Sequence, residues 1–391
     1  MNLPFKNKRR LILILTLFAC VLGLLHDSTK GELRVELVQV LFRHGDRTPR
    51  ENELWPKDLE DLSVYEPMGL GQLTNVGKLR EYGIGKLLRN RYDKFLGDVY
   101  HPTDVYAYST NFDRTKMSLQ LVLAALYPPS SEQAWNNRLS WMPIPMHYMP
   151  EKMDYLLRPE YSPIFSEALK NARNLEEVCR KVSQYKDFLS FLSEKTGKIE
   201  MNVTDGYEVY NKLQTQKSMN LTMPEWCTEE VMKTLQSIVL LEYETRSQTT
   251  QLKRVNGGTL IRTFIENVQL NEDRERPRKI YLYSGHESNI AGFVRAHNFT
   301  EPALPNYGTA IIFEKLSDEA GKQFVRLLLW TGVTEELIPY KFDGHDEVLP
   351  FDKYKELVND VLSSEEEMYS AWHHLSKDDL HKLYEDKVNL N

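Results

Sequence analysis

The chain contains 391 residues, of which 41% are hydrophobic and 27% are charged. This composition excludes a disordered, collagenous or fibrous protein, and the length indicates one large or two coupled globular domains. The formal net charge of −7 argues against a protein that binds nucleic acid through bulk positive charge, so we expect no nucleic-acid partner.

The N-terminal segment has the pattern of a secretory signal. Four basic residues between positions 6 and 10 precede a run of 15 almost wholly apolar residues, 11–25, and polar residues follow at once. The run is shorter than the roughly 20 residues of a membrane span. We therefore expect residues 1–28 to be a signal peptide, with an uncleaved signal anchor as the alternative. The expected location is secreted, alternatively the lysosomal lumen, without a stable membrane anchor.

Strands and helices alternate in the first part of the remaining chain. An apolar run rich in valine and leucine, 33–42, predicts a buried strand that leads into the segment RHGDRTP. Thr74 can cap a helix, for which we expect an apolar face of Val76, Leu79, Leu87, Leu88, Tyr92 and Phe95. A second strand, 105–108, leads into STNFDR and a helix that ends at Leu126.

The middle of the chain, 135–262, lacks strand signals and is dominated by residues typical of helices. It contains the two cysteines that remain after the signal segment, Cys179 and Cys227. In an oxidising compartment two cysteines most simply pair, so we expect a disulfide, with two buried free thiols as the alternative. Sequons of the type N-x-T predict glycosylation at three asparagines: Asn202, Asn220 and Asn298.

Strands return in the last third, at 279–283, 309–313 and 324–330. This order of elements predicts an α/β fold in which helices flank a mainly parallel sheet. Residues 29–134 and 263–391 would form the α/β domain. Residues 135–262 would form a mostly helical insertion, which we call the cap.

Three strand ends carry polar residues that suit one charged pocket, since ligands of open α/β sheets bind beyond the carboxyl ends of strands. Arg43 and Arg47 flank His44 after the first strand, and Arg114 follows the second. Guanidinium groups match a phosphate dianion, and neighbouring cations should keep the histidine neutral and therefore nucleophilic. After the third strand, His286 can donate to a phosphoryl oxygen, and Glu287 can protonate a leaving alcohol.

Other interpretations of these residues are available. A single histidine is more often structural, and arginine pairs are more often solvated charges. His44 and Asp46 could ligate a metal, but no further ligands occur at suitable spacing. The motifs of serine hydrolases, P-loop enzymes and dinucleotide-binding domains are absent from the sequence. We expect no metal and no other cofactor.

The three segments together resemble the histidine acid phosphatases, whose first motif is RHGxRxP. STNFDRTKMS resembles the second arginine block of that family and YSGHE its C-terminal histidine-acid block, over about 34–330. The similarity is greatest to secreted and lysosomal animal acid phosphatases, including those of insect venoms. The resemblance implies a phosphoglycerate-mutase-like fold with a helical cap, a possible homodimer, and a phosphorylated nucleophile at His44. It also implies that the phosphoryl group is bound by Arg43, Arg47, Arg114 and His286.

One motif position departs from the family pattern, because many relatives have aspartate where this chain has Glu287. The longer side chain keeps the chemistry of a proton donor but moves the carboxyl group outward, which bears on rate and leaving-group preference. The sequence thus predicts a secreted acid phosphatase that acts on small phosphomonoesters through a phosphohistidine. Two alternatives stay open: a phosphatase specialised for inositol phosphates or lysophosphatidate, and a secreted binding or allergen-like protein with weakened catalysis.

Overall fold

The computed structural model describes residues 33–58, 61–332, 336–370 and 372. The expected signal segment, 1–28, lies outside these described residues. Within them, eight strands form one sheet: β1 (Arg34–Arg43), β2 (Val105–Ser109), β3 (His147–Tyr148), β4 (Ile280–Gly285), β5 (Ala310–Ser317), β6 (Gln323–Trp330), β7 (Leu337–Pro339) and β8 (Val348–Pro350). The strand order is β3-β2-β4-β1-β5-β6-β7, and β8 also pairs with β6.

The predicted α/β fold with helices on a central sheet is confirmed, but the sheet is mixed rather than mainly parallel. The pairs β3–β2, β2–β4 and β4–β1 are parallel, whereas β1–β5, β5–β6, β6–β7 and β6–β8 are antiparallel. The physical reason lies in the connections. A tight turn at Asp318–Lys322 joins β5 to β6, and so short a connection can only join antiparallel strands.

Twelve α-helices occupy about half of the remaining described chain. They are α1 (Asn75–Leu96), α2 (Asp113–Leu126), α3 (Pro163–Arg173), α4 (Glu176–Ser183), α5 (Lys186–Thr196), α6 (Val203–Ser218), α7 (Glu229–Thr245), α8 (Thr250–Lys253), α9 (Thr259–Glu272), α10 (Glu287–Ala296), α11 (Phe351–Val358) and α12 (Glu365–Tyr369). Within the described residues, no helix combines the length and apolar character needed to cross a membrane.

Both faces of the sheet are covered, which is why β1 is an almost continuous apolar run. Leu37 and Leu41 point to the face that packs on α9, α10 and α11. Val38, Val40 and Phe42 point to the other face, against α1 and α2. The cap helices α5, α6 and α7 bury a separate hydrophobic cluster, which includes Leu192, Val209, Leu213, Leu235 and Ile238.

The predicted apolar face of α1 is partly wrong. Leu88 and Tyr92 are buried as expected, but Val76 and Leu79 are 50% and 73% exposed. The buried positions near the start of the helix are instead Gly77 and Glu81. The reason is that this end of α1 packs against the polar loop after β1 rather than against the apolar core.

The predicted disulfide is also wrong, because Cys179 and Cys227 are free thiols in the structure. Cys179 lies on α4 beside Leu241, near the C-terminal end of α7. Cys227 directly precedes the first turn of α7, so most of the length of that 17-residue helix, which is about 25 Å at 1.5 Å per residue, lies between the two positions. The Cα atoms of a disulfide must lie within about 7 Å of each other.

The loop after β1, residues 43–49, is held against the N-terminus of α1, and we call it the β1 loop. Thr74 caps α1 by accepting a hydrogen bond from Gly77 N at 3.1 Å, while the Asp46 carbonyl accepts one from Thr74 N at 2.9 Å. A Cβ atom built on Gly45 would lie 2.5 Å from Gly77 O, and one built on Gly77 would lie 2.6 Å from Asp46 N. The two backbones approach so closely that both positions require glycine.

We predict that Gly77→Ala displaces the β1 loop and lowers the free energy of unfolding by about 1–3 kcal/mol, since a new methyl group must be accommodated against backbone atoms. Chemical denaturation of the purified protein measures this loss. Gly83→Ala is the matched control on the same helix, because a Cβ atom there meets no atom within 4 Å. Equal stability of the two variants would contradict the assigned contact.

Candidate active site

The sheet register brings the three predicted motifs to one edge. Arg43 of β1 is paired with Gly285 of β4, and Ser109 of β2 with Ser284 of β4, so the three strands end level with one another. The antiparallel β5 begins at this edge, since Phe42 is paired with Ala310. Five of the predicted site residues line one cavity of about 180 Å³: His44, Arg47, Arg114, His286 and Glu287.

His44 is buried at the floor of this cavity and is held in one tautomer. Its Nδ1 lies 2.9 Å from the carbonyl oxygen of Gly45, which can only accept a hydrogen bond, so Nδ1 carries the proton. Burial and the positive charges of Arg114 and Arg43 hold the pKa of His44 well below its ordinary value of 6.5. The ring is therefore neutral, and its Nε2 bears a free electron pair.

Arg47 is fixed by a buried carboxylate that the sequence did not single out. Its two terminal nitrogens donate to the two oxygens of Glu53, each at 2.7 Å, and neither side chain is more than 2% exposed. Arg50 donates to the same carboxylate at 2.9 Å. Burial acts to raise the pKa of Glu53, but the two arginines overcome it and lower that pKa to about 2. The carboxylate thus stays charged in acidic solution, while Arg47 Nε has no hydrogen-bond partner among the described residues.

Arg114 differs from the other arginines around the cavity. It is the second residue of α2, its guanidinium lies 4.4 Å from the centre of the Phe112 ring, and no carboxylate pairs with it within the described part of the chain. Burial and the charges of Arg47 and Arg50 lower the pKa of Arg114 to about 9, so the group is cationic at neutral and acidic pH. An uncompensated buried guanidinium of this kind is suited to an anionic ligand.

His286 and Glu287 lie at the N-terminus of α10, where the helix dipole favours negative charge. The His286 ring lies 5.5 Å from the His44 ring, measured between ring centres, and its Nε2 is 3.1 Å from the Thr110 hydroxyl. Burial and the Arg114 charge hold the pKa of His286 well below its ordinary value. The imidazole is therefore neutral unless an anion binds beside it.

Glu287 is held at both carboxylate oxygens. Oε2 forms an ion pair with Arg43 Nε at 3.1 Å, and Oε1 accepts a hydrogen bond from the Tyr207 hydroxyl. Burial acts to raise the pKa of Glu287, but the charge of Arg43 and the hydrogen bond from Tyr207 hold it well below its ordinary value. Arg43 itself does not line the cavity, and its guanidinium carbon lies 4.1 Å from the centre of the Tyr307 ring. Its guanidinium pairs with Glu287 and adds positive charge near His44.

Three functional neighbours escaped the sequence analysis: Glu53, Tyr207 and Tyr307. Glu53 follows the first motif by four residues, and an acidic residue so close to two arginines is a usable signal. Tyr207 comes from cap helix α6, and Tyr307 precedes β5. Neither tyrosine belongs to a motif, and only the fold brings them to the site.

Asp46, the alternative metal ligand, is committed elsewhere. Its Oδ2 accepts a hydrogen bond from Arg80 Nε at 2.5 Å, and its Oδ1 accepts one from Ser218 Oγ at 2.7 Å. Ser218 is the last residue of cap helix α6. Asp46 therefore ties the β1 loop to α1 and to the cap.

A neutral histidine, an unpaired guanidinium and a buried carboxyl group thus line one cavity in the described part of the chain, an arrangement suited to an anionic ligand such as a phosphate group. The model of the histidine phosphatase superfamily (branch 2) matches residues 34–330, so the chain belongs to this family. The venom acid phosphatase Acph-1 of Apis mellifera is 36% identical over 359 residues, which cover 91% of this chain and 90% of that protein. The prostatic acid phosphatase of Mus musculus is 32% identical over 354 residues, with coverages of 89% and 92%.

Solved structures agree on the fold. The Hafnia alvei phytase in complex with myo-inositol hexakis sulphate superimposes with a TM-score of 0.65 at 17% identity, covering 88% of this chain and all of that one. An identity this low establishes the fold and no shared substrate. The predictions of a histidine phosphatase fold and of a phosphoric monoester hydrolase are confirmed by the family match and the relatives.

We predict that Glu53→Gln weakens both the fold and the anion site, because it leaves Arg47 without its charged partner. Breaking a buried pair of this kind costs about 3–5 kcal/mol. Because the pKa of Glu53 is depressed to about 2, its stabilising contribution is complete above the ordinary value of 4.5 and is lost as the pH falls toward 2. The free energies of unfolding of wild type and variant, measured from pH 7 to pH 2, should therefore converge as the pH falls from 4.5 toward 2.

The neighbouring Glu51→Gln is the control, since Glu51 lies in the same turn and is exposed. The inhibition constant of inorganic phosphate at pH 5 should rise for the Glu53 variant alone. A parallel loss in both variants would mean that Glu53 does not fix the anion site.

We predict that Tyr207→Phe raises the pKa of Glu287, because the hydroxyl stabilises the ionised carboxylate. The limb of the kcat/KM profile that reports Glu287 should move to higher pH. Tyr210→Phe is the matched control on the same helix, since the Tyr210 hydroxyl accepts from Gln214 at 2.6 Å rather than contacting Glu287. Superimposable profiles for all three proteins would exclude this role of Tyr207.

Proposed function

We propose that this chain, a phosphoric monoester hydrolase of the histidine phosphatase family, is an acid phosphatase that forms a phosphohistidine on His44. The observation that carries the proposal is the hydrogen bond from His44 Nδ1 to the Gly45 carbonyl, 2.9 Å long. It fixes the tautomer in which Nε2 is the unprotonated nitrogen. A neutral imidazole fixed in this way is a competent nucleophile toward phosphorus.

The bound phosphoryl group would lie among Arg47, Arg114 and His286. Support comes from the charge of Arg114 and from the Nε of Arg47, neither of which has a partner among the residues that the structure describes. These groups would stabilise the charge on the equatorial oxygens in the transition state, which is the main requirement of phosphoryl transfer. Arg43 adds to this field from behind Glu287.

Two displacement steps complete the reaction. In the first, His44 Nε2 forms a bond to phosphorus while the ester P–O bond breaks, and Glu287 gives its proton to the departing oxygen. In the second, Glu287 takes a proton from water as the water oxygen attacks phosphorus and the N–P bond breaks, releasing inorganic phosphate. The carboxyl group thus returns to its starting state.

The role of Glu287 as an acid depends on substrate binding. In the free site the charge of Arg43 favours its ionised form. A phosphate anion bound in the cavity offsets this effect and raises the pKa of Glu287, so the carboxyl group can bind a proton in acidic solution. This coupling favours an acidic pH optimum.

We also propose that the protein is secreted and glycosylated. Support comes from the N-terminal signal pattern, from relatives named for venom and for the prostate, and from the exposure of Asn202, Asn220 and Asn298. The segment 135–262 is proposed to act as a cap, since its helix α6 supplies Tyr207 to Glu287 and Ser218 to the β1 loop.

We predict that His44→Ala abolishes hydrolysis of p-nitrophenyl phosphate while the protein keeps its circular dichroism spectrum and melting temperature. Wild type should show an acidic optimum that EDTA does not change. His101→Ala, at an exposed position far from the cavity lining, is the control and should retain full activity. Substantial turnover by the His44 variant would refute the nucleophile, and loss of wild-type activity only with EDTA would refute the metal-free mechanism.

A further inference from the structure

Most of the arginines that line the cavity are paired with carboxylates, so only part of their positive charge is available to a ligand. Five guanidinium groups line it: Arg47, Arg50, Arg114, Arg158 and Arg246. All but Arg114 are paired with carboxylates within the described residues. Arg47 and Arg50 share one carboxylate, Glu53, so the described residues leave an excess of two positive charges around the cavity floor, which matches one phosphoryl dianion.

The two outer arginines are neutralised by carboxylates that themselves line the cavity. Arg158 Nε lies 2.6 Å from Glu160 Oε1, and a second carboxylate, Glu151, lies 3.4 Å from Arg158 Nη1. Arg246 Nη1 lies 3.9 Å from Glu242 Oε1. We call Glu160 and Glu242 the rim carboxylates.

The rim carboxylates stand where the cavity opens toward solvent and its neighbours. The side chain of Glu160 is 38% exposed, and Glu160 also lines an adjoining cavity. Glu242 lines a second adjoining cavity, where Arg173 donates to both of its oxygens at 2.9 Å and 3.2 Å. Both carboxylates therefore line the same cavity as His44, into which a group attached to the bound phosphoryl would extend.

We propose that Glu160 and Glu242 are specificity-determining residues that select esters with a single phosphate and disfavour substrates with a second anionic group. This inference rests on the proposed function of the same site. Among the described residues each arginine at the rim is already paired with a carboxylate, so a second phosphate of a bisphosphate or of an inositol polyphosphate must compete with Glu160 and Glu242 for these cations and is repelled by the two carboxylates. Uncharged or cationic leaving alcohols meet no such repulsion.

The experiment compares two substrates that differ by one phosphate, fructose 6-phosphate and fructose 1,6-bisphosphate. The measured quantity is the ratio of kcat/KM for the bisphosphate to kcat/KM for the monophosphate. Wild type should show a ratio well below one. Glu160→Gln and Glu242→Gln should each raise the ratio by about three- to tenfold, as expected for removing one charge in a partly solvated site.

Glu244→Gln is the matched control, since Glu244 lies on the same helix as Glu242, pairs with Lys181 at 3.1 Å and does not line the cavity. It makes the same charge change and should leave the ratio as in wild type. Glu242 is buried, so its variant could fail to fold, whereas Glu160 is exposed. In that case the ratio measured for Glu160→Gln tests the inference by itself.

A wild-type ratio near one, or ratios in the rim variants equal to that of Glu244→Gln, would overturn the inference. Hydrolysis of fructose 6-phosphate by wild type tests the proposed function separately. That function would fail if no monophosphate is turned over, whereas the inference fails if the monophosphate is turned over without discrimination.

Discussion

The site depends on holding several positive charges around one neutral histidine without cancelling all of them. Two buried carboxylates compensate part of this charge, since Glu53 orients Arg47 and Glu287 pairs with Arg43. Arg114 is left without such a partner among the described residues, so its charge is available to an anion. The same field keeps His44 unprotonated. Removing Glu53 or Glu287 would therefore leave an arginine beside His44 without its partner. An additional carboxylate next to Arg114 would cancel the positive charge that is available to an anion.

Packing around the β1 loop turns this charge distribution into a fixed geometry. The loop lies against the start of α1, where Gly45 and Gly77 permit a backbone contact that no side chain would allow. Asp46 joins the loop to Arg80 of α1 and to Ser218 of the cap. The same cap helix supplies the Tyr207 hydroxyl to Glu287. Helix α6 buries its apolar side in the hydrophobic cluster of the cap. The stability of the cap and the pKa of Glu287 are thus linked through this one helix.

The sequence predicted the parts of the molecule that depend on local pattern, and missed those that depend on distant segments. Strand ends followed by charged residues located the site, because the parallel strands β1, β2 and β4 end at a common edge. The face of α1 was misassigned at Leu79, since the rule that apolar residues are buried fails where a helix packs on a polar loop. The predicted disulfide was wrong because the redox compartment says nothing about the separation of Cys179 and Cys227. Tyr207 could not be foreseen, because its position follows from how the cap sits on the sheet.

Covalent chemistry at His44 is the step on which the proposed mechanism rests, and trapping the intermediate is its decisive test. The enzyme would be mixed with a rapidly hydrolysed phosphomonoester, quenched in alkali within milliseconds, digested and mapped by mass spectrometry, with phosphorus NMR to identify the substituted nitrogen. We expect phosphate on His44, attached to Nε2, because Nδ1 is occupied by its hydrogen bond to Gly45. Phosphate on another residue, attachment at Nδ1, or turnover without any trapped phosphoenzyme under conditions where the first step is fast would contradict this mechanism.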